Sequence, residues 1–297
     1  MYHLGVPMPN RIFLVFILIF FVQPSVLGAF QSVRVQIIDV GQGDCILIRT
    51  PNVKWVLIDA GTNSQIANGL PSWGVAKIAL AVVSHRHSDH LGGMDNVLNS
   101  IPVDQFLGIT EDCPNRSSDD DVRDAIAEKE VPVLPLDTGS IVIDRVKFTI
   151  MPLPPRHDCP EDENNNSIVI RLDFGEFSML FTGDAEIDER GWLIEHHSDL
   201  LDVDVLKASH HGSDNGTSDE WLSEITPTHV VISAGVHRKY RHPHMNAVQD
   251  YSNATNNHVY CTNRHGTIRV DGYRNGNILV SKQRDNNKSC VYDGTHY

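Results

Sequence analysis

Four side chains of metal-binding type lie within six residues of the stretch Ser84-His-Arg-His-Ser-Asp-His-Leu-Gly-Gly93, which directly follows an apolar run. Imidazole nitrogens and carboxylate oxygens are donor atoms that zinc accepts, so a loop that curls them toward one point predicts a metal site. A single histidine is more often just buried or solvated, but a cluster of four is rarely without a metal role. The candidate ligands are His85, His87, Asp89 and His90.

Further candidate ligands follow other apolar runs, where loops meet at one rim of a sheet. Phe181-Thr-Gly-Asp184 supplies a carboxylate, and Lys207-Ala-Ser-His-His-Gly-Ser213 supplies two adjacent histidines. Adjacent residues on a curled loop can exchange roles, so either His210 or His211 is the ligand. Asp59 ends another apolar run and is predicted to orient a ligand histidine by accepting its hydrogen bond.

The hydrophobic pattern predicts the elements that carry these loops. An antiparallel meander of short strands is expected first, and residues 78–83 predict a strand buried on both faces. Two sheets with helices outside them would accommodate the later strands and helices in one domain. The predicted strands are residues 33–39, 45–49, 55–58, 78–83, 141–143, 146–151, 168–172, 177–181, 203–208 and 229–232, and the predicted helices are residues 91–98, 119–130, 186–196 and 219–225.

These motifs resemble the metallo-β-lactamase superfamily and, within it, the metallo-β-lactamase-like domain of ComEC-type DNA-uptake proteins. The resemblance implies an α+β fold, a single-domain αββα sandwich with two metal ions at the rim of its sheets. Zinc is the expected ion, with manganese as the alternative. The matching stretches are Asp39-Val-Gly-Gln-Gly-Asp44, Ile58-Asp-Ala-Gly61, the histidine cluster, Asn166-Ser167, Phe181-Thr-Gly-Asp184, His210-His-Gly-Ser213 and His242-Pro243.

The resemblance also implies which residue binds which ion. Each ion would have side chains of its own, and one carboxylate would bridge the two. His85 and His87 would bind the first ion, Asp184 would be the bridge, and the second ion would be bound by Asp89, His90 and one of His210 and His211.

The chain departs from the wider superfamily between the histidine cluster and Asp184. Many members supply another histidine there, whereas this chain has Asn166-Ser167, as ComEC-like domains do. The first ion would therefore be weakly held or completed by water, and His157 in a nearby acidic loop is a further candidate ligand. We assign Asn166 and Ser167 to substrate binding.

The densest basic run of this acidic chain is Val236-His-Arg-Lys-Tyr-Arg-His-Pro-His244, which borders the metal site in the family. Cations beside a metal pair suit an anionic phosphate, and Tyr240 can stack on a base. His242 is predicted to donate to the leaving oxygen, while Asp89 or Asp184 takes up a proton. The alternative is a solvated loop that balances an acidic surface. The predicted substrate-binding cations are Arg238, Lys239 and Arg241.

Our first hypothesis is a metal-dependent hydrolase of phosphoester bonds, a nuclease or phosphodiesterase, which acts on nucleic acid or a nucleotide through hydroxide generated at two ions. The same hydroxide would serve a hydrolase of β-lactams, lactones or other esters, with Trp73 lining an apolar pocket. A non-catalytic secreted binding protein on this scaffold is the third hypothesis. The sequence leaves the oligomeric state open.

Residues 1–28 have the pattern of a secretory signal peptide. Arg11 precedes an apolar stretch shorter than the about 20 residues that a membrane span needs, and small residues precede Ala29 as cleavage requires. We expect cleavage, secretion to the extracellular space and no stable membrane association afterwards; the alternative is an uncleaved anchor. Residues 29–297 would form the domain, with a core over about 33–270 and a C-terminal strand extension over 271–297.

Cysteine usage and charge narrow the class of protein further. In an oxidising compartment Cys113 with Cys159 and Cys261 with Cys290 are plausible disulfide pairs, but the sequence does not fix the connectivity; Cys45, in an apolar strand, is expected to be a buried free thiol. A net charge of −14 argues against a general binder of nucleic acid or anionic membranes, because phosphate contacts need clustered Lys and Arg. Sequons that agree with secretion begin at Asn115, Asn165, Asn215, Asn253 and Asn287.

Overall fold

The computed structural model describes residues 31–108, 119–152, 154, 163–286 and 288–292. Within these residues the strands form two seven-stranded sheets. One apolar cluster contains side chains from both sheets, and two further clusters join the outer face of each sheet to helices. The expected α+β sandwich, a single domain with helices outside two facing sheets, is confirmed.

The strands form where apolar and polar residues alternate in the sequence or where apolar residues are continuous. The first sheet has the order β14-β13-β1-β2-β3-β4-β5 and the second the order β12-β11-β10-β9-β8-β7-β6, with strands named as follows. They are β1 (Ser32–Ile37), β2 (Cys45–Arg49), β3 (Trp55–Ala60), β4 (Leu80–Val82), β5 (Phe106–Leu107), β6 (Ser140–Ile143), β7 (Val146–Ile150), β8 (Ile170–Phe174), β9 (Phe177–Phe181), β10 (Val205–Lys207), β11 (His229–Ile232), β12 (Val259–Cys261), β13 (Ile268–Tyr273) and β14 (Ile278–Lys282).

The helices lie in the connections between these strands. They are α1 (Gln65–Gly69), α2 (Ser88–Leu91), α3 (Met94–Ser100), α4 (Asp120–Glu128), α5 (Ile187–His197), α6 (Asp219–Ile225), α7 (Met245–Ala254) and α8 (Thr262–His265). Short 3-10 turns cover Leu70–Trp73, Asn164–Asn166, Ser198–Leu200, Ser209–Gly212 and Asp214–Gly216.

Parallel pairing positions the loops that carry the candidate ligands. Strands β3, β4 and β5 are parallel, as are β9, β10, β11 and β12. The loops that follow β4, β9, β10 and β11 therefore leave the carboxyl ends of parallel strands, where ligand sites of mixed sheets commonly form.

Strands β5 and β12 and helices α1, α7 and α8 were not predicted from the sequence, and two of the sequence-based expectations need correction. The helix expected over residues 91–98 is divided into α2 and α3, because Gly93 packs against the end of β3, where a Cβ would lie 2.5 Å from the Ala60 carbonyl oxygen. The boundary expected at residues 270 and 271 falls inside β13, which pairs with β1 as far as Tyr273. Residues beyond 270 therefore belong to the first sheet.

The predicted Cys261–Cys290 disulfide is present and ties β12 to the C-terminal segment, and Cys45 is a buried free thiol as predicted. Among the described residues, no helix combines the length and apolar character that a bilayer span requires. The remaining expectations concern residues outside the described ranges. These are the signal peptide over residues 1–28, the Cys113–Cys159 pair, His157, and the sequons at Asn115 and Asn287.

Candidate metal centre

Four of the predicted ligand side chains meet at one point of the rim. His90 Nε2 lies 3.3 Å from both His211 Nε2 and Asp184 Oδ2. His211 Nε2 also lies 3.3 Å from Asp184 Oδ2 and from Asp89 Oδ2. Asp89 is 24% exposed, whereas the other three side chains are buried. Two imidazoles and two carboxylates therefore converge on one small volume.

The other ring nitrogens of these two histidines are held by acceptors. His90 Nδ1 donates to Asp59 Oδ2 at 2.8 Å, and His211 Nδ1 donates to the carbonyl oxygen of Ser233 at 2.9 Å. Their Nε2 atoms therefore face each other with lone pairs, which requires a cation or protons between them. This arrangement, a histidine ligand oriented by an acceptor on its far nitrogen, fits a metal ion. Asp59 lies where the sequence predicted an orienting carboxylate.

A second, smaller group of donors shares Asp184. His85 Nε2 lies 3.0 Å from His87 Nδ1 and 3.9 Å from Asp184 Oδ2. Ser84 Oγ donates to Asp59 Oδ2 and lies 3.1 Å from His85 Nδ1, whose proton it accepts, so His85 Nε2 carries a lone pair. Among the described residues, three donors meet here, and His87 is exposed. Within that part of the chain the first ion would thus have fewer protein ligands than the second.

His210 and His211 point in different directions because both residues have left-handed backbones, with φ of 46° and 54°. L-residues rarely adopt this conformation, which turns consecutive side chains apart here. His210 Nδ1 lies 3.0 Å from Glu186 Oε1 and 3.0 Å from Asn215 Oδ1, and its Nε2 lies 4.0 Å from Asp184 Oδ2. His211 therefore joins the second group, and His210 stands beside it.

The turn before β2 approaches the ligand loop closely. Asp44 N donates to the backbone oxygen of Asp89 at 3.0 Å, and a Cβ on Gly43 would lie 2.3 Å from that same oxygen. Only glycine allows this approach, so the motif Gly41-Gln-Gly-Asp44 fixes the position of Asp89.

A buried ion pair lies beneath the centre, and sequence reasoning did not identify it. Lys207 Nζ is paired with Asp44 Oδ2, donates to the Gly183 carbonyl oxygen at 3.0 Å and lies 4.0 Å from Asp184 Oδ1. Asp44 faces the Nδ1 side of His211, at 3.5 Å, so it lies behind the ligands rather than among them. The available signal was a lysine that ends an apolar strand.

The pKa values of the buried ligand side chains are shifted by burial and by the charges of their neighbours. Burial raises the pKa of Asp184, but His211 and His90 outweigh it and hold that pKa well below its usual range. Burial lowers the pKa of His90, yet Asp184 and Asp59 raise it to about 10. Burial also lowers the pKa of His211, which Asp184 and other carboxylates raise well above its usual value. Without an ion, these two imidazoles therefore hold protons.

Neighbouring groups are shifted in other directions. Burial, and next the charge of His90, lower the pKa of His85 well below its usual value. Burial and the charges of His211 and His210 lower the pKa of His242 to about 3. His242 is therefore a neutral imidazole at pH 7, which has an N–H for hydrogen bonding and carries no surplus proton.

The donors open onto a cleft of about 340 Å³. Asn166 and Ser167, assigned to the substrate from the sequence, are buried behind its wall. Ser167 Oγ accepts from Asp184 N at 3.0 Å and donates to the Asn164 carbonyl oxygen at 2.9 Å, so it supports the ligand loop instead. Trp73 does not line the cleft. The lining residues are Gln42, His87, Ser88, Asp89, Asn164, Asp184, His210, His211, Tyr240 and His242.

The basic segment contributes one wall of the cleft through Tyr240 and His242. The His242 ring centroid lies 5.9 Å from that of Tyr240 and 6.1 Å from that of His211, in near-parallel pairs. The three cations of the basic segment are exposed, and Lys239 Nζ lies 4.8 Å from the Tyr240 ring centroid. Among the described residues, no carboxylate forms an ion pair with Arg238, Lys239 or Arg241.

Arg86, which separates the two histidines of the first group, points away from the cleft and is buried. Its Nε lies 3.1 Å from Asp119 Oδ2, and its Nη1 lies 3.6 Å from Glu163 Oε1. These contacts join the ligand loop to the start of α4 and to the turn that carries Asn164. Sequence reasoning missed this residue because a charged residue on a loop is ordinarily solvated.

Known proteins match most of this chain. A family model described as the metallo-beta-lactamase superfamily matches residues 38–237. The chain is 27% identical over 237 residues to ComE operon protein 3 of Bacillus subtilis (strain 168), a match that covers 73% of this chain and 30% of that protein. It is 29% identical over 258 residues to competence protein ComA of Neisseria gonorrhoeae, covering 86% of this chain and 34% of that protein. The chain thus spans about a third of the length of these curated relatives.

A solved structure shares the fold. The diiron beta-hydroxylase CmlA from Streptomyces venezuelae superimposes with a TM-score of 0.53 at 13% identity, over 80% of this chain and 54% of that one. At this identity the likeness concerns the fold alone.

Proposed function

The chain belongs to the metallo-beta-lactamase superfamily and is a metal-dependent hydrolase of that family, and we propose that it is a secreted enzyme that cleaves phosphoester bonds with two zinc ions. The single observation that carries the choice of substrate is the basic segment. Three exposed cations without carboxylate partners among the described residues lie on the loop that forms one wall of the metal cleft. Unpaired cations beside such a centre favour an anionic phosphate.

The proposed roles follow from access to the cleft. When bound, two divalent ions supply hydroxide at neutral pH and neutralise charge that develops on the attacked group. Asp89 is the partly exposed ligand carboxylate, so we assign it the proton that the nucleophile loses. Asp184 is buried, with its Oδ2 beside His90 and His211 and its Oδ1 beside Lys207, and serves for binding. His242, neutral and at the cleft wall, would donate a hydrogen bond to the leaving oxygen.

The substrate we favour is nucleic acid or a nucleotide. Tyr240 is 43% exposed beside the cleft, and its ring can stack on a base, an interaction that needs no particular base sequence. The resemblance to ComEC-type DNA-uptake proteins supports the same substrate class. Secretion is supported by the pattern of residues 1–28 and by the Cys261–Cys290 disulfide, a bond typical of oxidising compartments.

The test removes the three cations together, as Arg238→Ala/Lys239→Ala/Arg241→Ala. The matched control removes three exposed lysines that do not line the cleft, as Lys54→Ala/Lys129→Ala/Lys147→Ala, with the same change in net charge. We expect the first variant to bind zinc as the wild type does, to show a KM for an oligonucleotide raised at least tenfold, and to lose part of the salt dependence of that KM. The control should change neither property.

Other substrates provide the contrary outcome. Turnover of nitrocefin or a simple ester without cleavage of bis-p-nitrophenyl phosphate or oligonucleotide would place the protein among amide or ester hydrolases. Zinc binding without any turnover would favour the non-catalytic binding protein.

A further inference from the structure

We propose that Lys207 is a positioning residue of the metal centre, whose buried ammonium group holds Oδ1 of Asp184 so that Oδ2 alone is presented to the ions. The inference rests on the proposed two-ion site. It concerns a residue that forms no part of the cleft wall and offers no atom to a metal.

The surroundings of Lys207 leave its ammonium group no contact with water. Lys207 is the last residue of β10 and is fully buried. Its Nζ is paired with Asp44, donates to the Gly183 carbonyl oxygen at 3.0 Å and lies 4.0 Å from Asp184 Oδ1. A buried cation of this kind persists only where anions and acceptors surround it, so its position is set by these partners.

The two oxygens of Asp184 have different neighbours. Oδ2 lies 3.3 Å from Nε2 of His90 and 3.3 Å from Nε2 of His211, and 3.9 Å from Nε2 of His85. Oδ1 is buried, has no hydrogen-bond donor among the described residues, and has Lys207 Nζ as a neighbouring cation. Oδ2 therefore faces the Nε2 atoms of His85, His90 and His211, and Oδ1 faces the ammonium group.

A carboxylate without such a neighbour can bind ions through either oxygen or through both. The ammonium group of Lys207 attracts Oδ1 and also holds the carbonyl oxygen of Gly183, the residue before Asp184. Both contacts restrict rotation of the Asp184 side chain. The consequence is one defined position for the shared oxygen between the two groups of histidines.

The competing explanation is that Lys207 only neutralises Asp44. A single Lys207→Met variant would not separate the two, because it strands a buried carboxylate and endangers the fold. The double variant Asp44→Asn/Lys207→Met does separate them. It removes one negative and one positive charge, so the net charge beneath the centre is unchanged and Asp44 is not left as a buried unpaired carboxylate, while Asp184 Oδ1 loses its neighbouring cation.

The experiment loads wild type and double variant with cobalt(II), measures affinity by competition with a chelating dye, and records the visible spectrum. Thermal unfolding of the metal-free proteins is the control that tests whether both are folded. We expect the double variant to bind cobalt about tenfold more weakly, because the Asp184 side chain is no longer held in one position. Its visible bands should be less intense, because a second Asp184 oxygen would raise the coordination number. Equal affinity and an equal spectrum would overturn the proposal.

Two further outcomes keep this inference distinct from the proposed function. Wild-type protein that binds no metal would overturn the proposed function, and this inference with it. Wild-type protein that binds two ions but shows Oδ1 of Asp184 bound to one of them, in a crystal structure of the zinc-loaded form, would overturn the inference alone. That measurement requires no variant, so it holds even if the double variant does not fold.

Discussion

His210 and His211 are neighbours in the chain with different tasks, and the difference lies in their contacts. His211 Nε2 meets two carboxylates at 3.3 Å, whereas the nearest contact of His210 Nε2 with a ligand carboxylate is 4.0 Å. We therefore expect His211→Ala to lose the second ion and His210→Ala to retain both, as measured by elemental analysis of the purified variants. Loss of metal from His210→Ala with retention in His211→Ala would reverse the assignment.

The protons on His90 and His211 give the centre a pH dependence. Because the pKa of His90 is raised to about 10 and that of His211 lies well above its usual value, both imidazoles are protonated in the metal-free protein at pH 7. An ion must displace these protons, so affinity should rise as the pH rises from about 7 toward 10, with release of close to two protons at neutral pH. Calorimetric titration in buffers of different ionisation enthalpy measures the release. A heat independent of the buffer would contradict it.

The protonation state also affects the stability of the metal-free protein. A histidine with a raised pKa in the folded state stabilises the fold fully below its unfolded pKa, near 6.5, and loses that contribution as the pH passes the folded value. For His90 the window extends from about 6.5 to about 10. As the pH rises through this window, the free energy of unfolding of the metal-free protein should therefore fall while its affinity for metal rises.

Helix α5 begins with a cap from a distant segment. The side-chain oxygen of Asn165 accepts from the backbone nitrogens of Glu186, at 3.2 Å, and Glu189, at 3.1 Å. We expect Asn165→Ala to lower the free energy of unfolding by about 1 kcal/mol, the usual cost of a lost N-terminal cap. Asn165→Asp should retain most of it, because a carboxylate accepts the same bonds and favours a helix N-terminus. Urea unfolding of the three proteins measures the difference, and two variants equal to wild type would refute the cap.

The elements were largely predictable from the sequence, and the reason is burial. Strands β2, β9 and β11 have the predicted bounds, because residues 45–48, 177–181 and 230–232 are mostly apolar and buried on both faces. Strand β5 has two residues, too short for a period to show. The pairing of β1 with β13 joins residues more than 200 positions apart, which no local pattern encodes.

The site was predictable only in part, for a related reason. Residue type and spacing indicate ligands, so the histidine cluster and Asp184 were identified from the sequence. The choice of His211 depends on two left-handed backbone conformations, and the pairing of Lys207 with Asp44 depends on tertiary burial. Neither feature can be predicted from the sequence pattern, because each arises where separate strands meet.

At the scale of the whole molecule, the centre joins the two sheets. Its ligands come from loops after β4 in the first sheet and after β9 and β10 in the second. A ligand that binds only the folded state stabilises it, by about 2.7 kcal/mol at a hundredfold excess over Kd. For a domain of this size that corresponds to a rise in Tm of about 5–10 °C. Removal of metal by a chelator should lower the Tm by that amount, and zinc should restore it.

The control for this effect is His211→Ala, which lacks a ligand of the second ion. Chelator should change its Tm by less than it changes that of the wild type. A wild-type Tm that is insensitive to both chelator and zinc would show that the metal does not bridge the sheets.

The most direct test of a two-ion phosphoester hydrolase is a titration of zinc into metal-free wild-type protein, followed by the rate of bis-p-nitrophenyl phosphate cleavage. We expect the rate to reach its maximum at two equivalents, and to stay at background in His87→Ala, which lacks a ligand of the first ion, and in Asp89→Ala, which lacks one of the second. Saturation with two ions and no cleavage of the phosphodiester would contradict the account.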